Sequence, residues 1–103
     1  MIKHIVLWKL KDEAEGRSKI ENAHLMKTKL EALPLMISEL NSVEVGVNIF
    51  DNKEASTCDL VLIAECDNEE NLGKYALHPE HKKVVEFIVK VTCERRVVDY
   101  LSR

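Results

Sequence analysis

The strand-like segments of this chain are apolar on both faces, and nothing else in the sequence restricts the fold as much. Side chains along a strand alternate between its faces with a period of two. In residues 2–10, Ile2, Val6, Trp8 and Leu10 share one face with His4, while Ile5 and Leu7 take the other. The run Cys58–Cys66 repeats the pattern, Leu60 and Leu62 alternating with Val61 and Ile63. An antiparallel sheet with one wet face reads instead as a clean apolar and polar alternation. Both faces of this sheet therefore need cover.

The remaining segments supply half of it. From about Ser18 to Leu33 the residues Ile20, Ala23, Met26, Leu30 and Leu33 recur at helical spacing, Ser18 and Glu21 have the spacing of a capping box, and Pro34 ends the helix. Asp12 to Gly16 breaks the first strand ahead of it, and a short helical turn through Leu35–Leu40 follows. Val43, Val45 and Val47 alternate as a second strand, Asp51-Asn52-Lys53 through Ser56 reads as a polar loop, and Cys58–Cys66 is a third, central strand. Asn68-Glu69-Glu70 opens a short helix reaching about Ala76, a long helix covers Glu80–Val91, and Thr92–Leu101 is the last strand. The order β-α-β-β-α-β predicts an α+β, ferredoxin-like fold with helices on one face of an antiparallel sheet. The other face calls for a second copy. A two-fold homodimer with the sheets face to face, a dimeric α/β barrel, is the simplest closed solution.

Composition narrows the function. With 103 residues, 46% of them hydrophobic, the chain reads as one domain over residues 1–103. Fifteen basic and 18 acidic residues are interspersed, with a net charge of -3, so no electrostatic footprint for nucleic acid is expected. No run approaches the roughly 18 apolar residues of a membrane span, and no secretory signal pattern is present, so a cytoplasmic protein without a membrane partner is expected. Cys58 and Cys66 lie at the two ends of one predicted strand, about 26 Å apart at the strand rise, too far to bridge within one subunit. With Cys93 they read as small hydrophobes.

The chemistry-bearing residues cluster around one helix start, Tyr75-Ala76-Leu77-His78-Pro79-Glu80-His81. Proline lacks an N–H and has a fixed φ, so Pro79 suits the first helical position, with His78 just outside and His81 in the first turn. His81 then shares a face with Val84, Val85 and Ile88 and points toward the interior or a cavity in it. Burial and the positive helix end both disfavour an added charge, leaving the neutral imidazole that a general base requires. The same placement suits a histidine hydrogen-bonded in the core or at the cap, and both readings stand at this point. His78 is most simply a turn residue before a proline, and its i,i+3 spacing to His81 lacks an acidic third ligand, so no metal site is read. His4, on the same strand face as Trp8, is either bonded to a neighbouring strand or part of a site.

The opening Met1-Ile2-Lys3-His4-Ile5-Val6-Leu7, the central Tyr75-x-x-His78-Pro79-x-His81 and the closing Asp99-Tyr100 together resemble the stress-responsive A/B barrel (Dabb) domains, dimeric α+β barrels, over nearly the whole chain. One plant member, olivetolic acid cyclase, closes a polyketide ring by aldol condensation. The resemblance implies His81 and Tyr75 as a catalytic pair, His4 as a pocket residue, and no metal or cofactor. It also places Ala23 and Met26 where that enzyme has aromatic pocket walls; only 5% of this chain is aromatic, so a different substrate is implied. The resulting expectation is a homodimer binding a small, mostly apolar carbonyl compound, with His4, Trp8, Ala23, Met26 and His78 near it and enolisation by Tyr75 and His81. The competing readings are a non-catalytic stress-response or assembly protein and a cofactor-free or haem monooxygenase-like barrel.

Overall fold

The computed structural model describes residues 1–50 and 54–103, so Asp51-Asn52-Lys53 of the expected polar loop lies outside the described residues. Strands β1 (Ile2–Leu10), β4 (Ser42–Val47), β5 (Leu60–Cys66) and β6 (Thr92–Leu101) form an antiparallel sheet in the order β4-β5-β1-β6. Helices α1 (Lys19–Glu31), α2 (Glu69–Leu77) and α3 (Pro79–Val91) complete the expected β-α-β-β-α-β order.

Local chemistry explains the element ends. The Ser18 hydroxyl accepts from the Glu21 backbone N–H while the Glu21 carboxylate accepts from the Ser18 N–H, closing the capping box that starts α1. Helix α1 ends at Glu31, two residues earlier than its apolar spacing suggests, because Leu33–Leu35 with Pro34 tightens into a 3₁₀ turn. Where the sequence showed only a break, β2 (Glu13–Ala14) and β3 (Arg17–Ser18) form a small hairpin, with Glu15 and Gly16 both at positive φ as its tight turn requires. Strand β5 begins at Leu60 rather than Cys58. The Asp59 carboxylate accepts from the Leu10 N–H, so its side chain holds the end of β1.

The helices cover one sheet face only. Ala23, Met26 and Leu30 of α1, with Val84, Ile88 and Val91 of α3, bury against Val6, Trp8, Leu10, Val45, Leu60, Leu62 and Ala64. Register fixes this division, since Val6 pairs with Leu62 and His4 with Ala64. The opposite face carries Ile5, Leu7, Val61, Ile63 and Val98, of which Leu7 is 39% and Val98 55% exposed. No helix of the described residues packs there, and none is long and apolar enough to cross a membrane.

Candidate functional site

A cavity of about 490 Å³ opens on the helix side of the sheet, between α3 and strands β1 and β6. Val6, Trp8 and Leu62 form its sheet wall, and Leu30, Val85, Ile88 and Val89 come from the helices. His4, Tyr75, His81, Thr92, Glu94 and Arg95 supply its polar groups. This is the size and composition of a small-molecule cleft.

Tyr75 comes from the last turns of α2 and is only 2% exposed. Burial raises the phenol well above its ordinary value, aided by the nearby Cys66 and opposed by the charge of Arg95. It remains a protonated hydroxyl at neutral pH, and that hydroxyl has no hydrogen-bond partner among the described residues. An unengaged phenol in a cavity is a donor for an incoming oxygen.

His81 stands in the first turn of α3, where Pro79 takes the first helical position. Its ring lies 4.4 Å from that of Tyr75 with the planes tilted by 49°. Burial is the main reason its pKa lies below the ordinary imidazole value; His4, Arg95 and His78 push the same way, and the Ala76 backbone contact opposes them. A carbonyl oxygen can only accept, so the 3.1 Å contact between Nδ1 and the Ala76 oxygen places the ring proton on Nδ1. Nε2 is then the basic nitrogen, without a partner among the described residues.

His4 completes the cluster from β1, its ring 6.1 Å from that of Tyr75 in an edge-on arrangement. Asp99 lies directly opposite on β6, and its carboxylate accepts from His4 Nδ1. A carboxylate on one imidazole nitrogen fixes the tautomer and aims the other nitrogen. His4, Tyr75 and His81 are far apart in sequence and meet here as a continuous chain of rings.

The other sequence candidates part company. Trp8 forms a wall of the cavity, and its buried indole N–H lacks an acceptor among the described residues. His78 does not line the cavity; its Nδ1 accepts from the Glu80 N–H at 3.1 Å and caps α3. Ala23 and Met26 do not line it either, which corrects their expected place. Met26 is wholly buried in the core, and Ala23 borders a second cavity beside Asp12, Lys19 and Asp59. Leu30, one turn beyond Met26 on the same face of α1, reaches the cavity instead. Two residues were missed, Asp99 as the partner of His4 and Arg95 as the cavity's cation. Only the pairing of β6 with β1 brings them in, a contact between opposite ends of the chain.

The model of the Stress Responsive A/B Barrel Domain family matches residues 2–102. A stress-response A/B barrel domain-containing protein of Arabidopsis thaliana is 30% identical over 106 residues, covering 99% of this chain and 37% of its own length. The chain thus spans little more than a third of that relative. A dimeric protein of unknown function with a ferredoxin-like fold from Bacteroides fragilis is 35% identical with a TM-score of 0.82, covering 96% of this chain and 93% of its own. A dimeric ferredoxin-like protein of unknown function from Thermobifida fusca is 25% identical with a TM-score of 0.77, covering 96% and 88%.

Proposed function

The chain belongs to the stress-responsive A/B barrel domain family, and from that premise we propose a homodimer in which each subunit binds a small, mostly apolar carbonyl compound and enolises it. Residues 1–103 act as one such domain in this reading. The observation that carries it is the pairing of a buried, proton-bearing phenol with a neutral imidazole at 4.4 Å inside a largely apolar cavity. His81 Nε2 removes an acidic proton from a carbon between two carbonyls, and the Tyr75 hydroxyl donates to the oxygen that gains charge. Attack of that enolate on a further carbonyl of the same molecule closes a ring, the polyketide-cyclase-like outcome. His4, held by Asp99, orients the ligand. These steps use side-chain acid–base groups alone, with no metal or cofactor assigned a part.

The dimer rests on the uncovered apolar face of β1, β5 and β6, and on the dimeric relatives from Bacteroides fragilis and Thermobifida fusca. A second reading is a non-catalytic binding or assembly protein. It is favoured by the structural partners that His4 and His81 already have, Asp99 and the Ala76 carbonyl.

Titration with nonane-2,4-dione, followed by the histidine and tyrosine ring resonances in NMR, separates the readings. The enolising site predicts saturable shifts at His4, Tyr75 and His81 and a growing enolate absorbance. Tyr75→Phe then keeps the binding and loses the enolate. Binding without any enolate in the unaltered protein supports the second reading, and shifts confined to other residues overturn both.

A further inference from the structure

We propose that the ligand of this cavity is an anion, an apolar carboxylic acid held as its carboxylate by Arg95. The inference rests on reading the cavity as a ligand site and adds the class of molecule. Arg95 lies on β6 directly opposite Trp8 of β1, on the cavity side of the sheet, and both line the cavity. Asp99, opposite His4, is four residues further along the same strand. That separation is about 13 Å at the strand rise. The cavity therefore has two polar stations, with Arg95 at one and the His4, Tyr75 and His81 rings at the other.

The guanidinium at the first station makes no ion pair or hydrogen bond among the described residues. The carboxylates that could neutralise it are engaged elsewhere. Asp99 is bonded to His4, and Glu94, which also lines the cavity, alternates with Arg95 along β6 and pairs with Arg96 at 4.0 Å. Burial dominates the titration of both Tyr75 and His81, yet the charge of Arg95 bears on each as well, so the two stations are in electrostatic reach. An uncompensated cation facing a cleft favours an anion and repels an amine, and the planar guanidinium fork matches the two oxygens of a carboxylate. The apolar side chains of Val85, Ile88 and Val89 leave the rest of the ligand a hydrocarbon environment. The volume suits a small molecule, and an acid anchored at Arg95 presents its far end to Tyr75 and His81.

Trp8 is the sole tryptophan and stands across from Arg95, so its fluorescence reports occupancy without turnover. The probes are octanoate and 1-octanol, which share an apolar chain and differ in charge. Octanoate should bind at least about tenfold more tightly than octanol, the range of a hydrogen bond to a charged group. Arg95→Gln, at an exposed position, should remove that preference by weakening octanoate binding about tenfold more than octanol binding, and Arg95→Lys should recover part of it. Equal affinities in the unaltered protein, or a preference that survives Arg95→Gln, would overturn the anion assignment while leaving the apolar site standing. If neither probe alters Trp8 emission or the thermal midpoint up to its solubility limit, the anion assignment and the ligand site fall together.

Discussion

The rings of Tyr75 and His81 meet at 4.4 Å because the chain stops being a helix between them. In one uninterrupted helix, residues six apart lie about 120° apart around the axis and about 9 Å along it, so the two side chains would diverge. At His78 the backbone turns extended, with φ -65° and ψ 135°. Its N–H donates to the Tyr75 carbonyl to close α2, while its Nδ1 accepts from Glu80 to open α3. His78 is thus the hinge that aims the pair, although it does not enter the cavity.

His78→Ala removes that cap and should cost about 1 kcal/mol, as for other N-cap losses. For a domain of this size the thermal midpoint should fall by roughly 4–8 °C. Calorimetry reads the loss, and the contact between the Tyr75 and His81 rings should weaken in NMR. An unchanged midpoint with an unchanged ring contact would deny His78 this role.

Neighbouring residues on β5 face opposite ways, so the same substitution should have opposite consequences. Val61 lies on the uncovered face, whereas Leu62 is 1% exposed in the core. Val61→Asp should leave a folded subunit and reduce the light-scattering mass from twice 11.8 kDa to 11.8 kDa. Leu62→Asp should prevent folding by burying a charge without a partner. A dimer that survives Val61→Asp places the subunit contact elsewhere.

The half-buried imidazole of His81 also gives stability a pH dependence. Unfolded His81 takes a proton near its ordinary value of 6.5, whereas the folded protein resists until lower pH because burial disfavours the charge. Below pH 6.5 the unfolded state therefore binds more protons, and stability falls as pH falls. Denaturant unfolding at pH 7.5 and pH 5 should show this loss, and His81→Asn should reduce it. Equal losses in both proteins would mean that His81 is not held neutral.

What could be read from the sequence depended on how local its cause was. The Ser18–Glu21 capping box and the Pro79 helix start involve neighbours a few residues apart, and both formed as their spacing implied. The inward face of His81 followed from its register with Val84 and Ile88, both buried. The hairpin at Glu13–Ser18 escaped because Glu15, which is not glycine, takes positive φ there. Ala23 and Met26 were misplaced by the resemblance, whereas their own helical spacing with Leu30 already put them on the stripe that packs into the core. Asp99 and Arg95 depend on the register of β6 against β1, which joins the two ends of the chain and leaves no local signature.

Proton removal by His81 is tested most directly by exchange at carbon. Asparagine at position 81 can keep an N–H for the Ala76 carbonyl that now accepts from His81 Nδ1, while supplying no basic nitrogen. NMR in deuterated buffer follows loss of the proton at C3 of nonane-2,4-dione in the presence of the protein. Saturable, protein-dependent exchange should fall by about 10²–10⁴-fold in His81→Asn, the share of one positioned base, with dimer mass and thermal midpoint preserved. Exchange at the same rate in both proteins, or no acceleration over buffer by the unaltered one, would contradict His81 as the base.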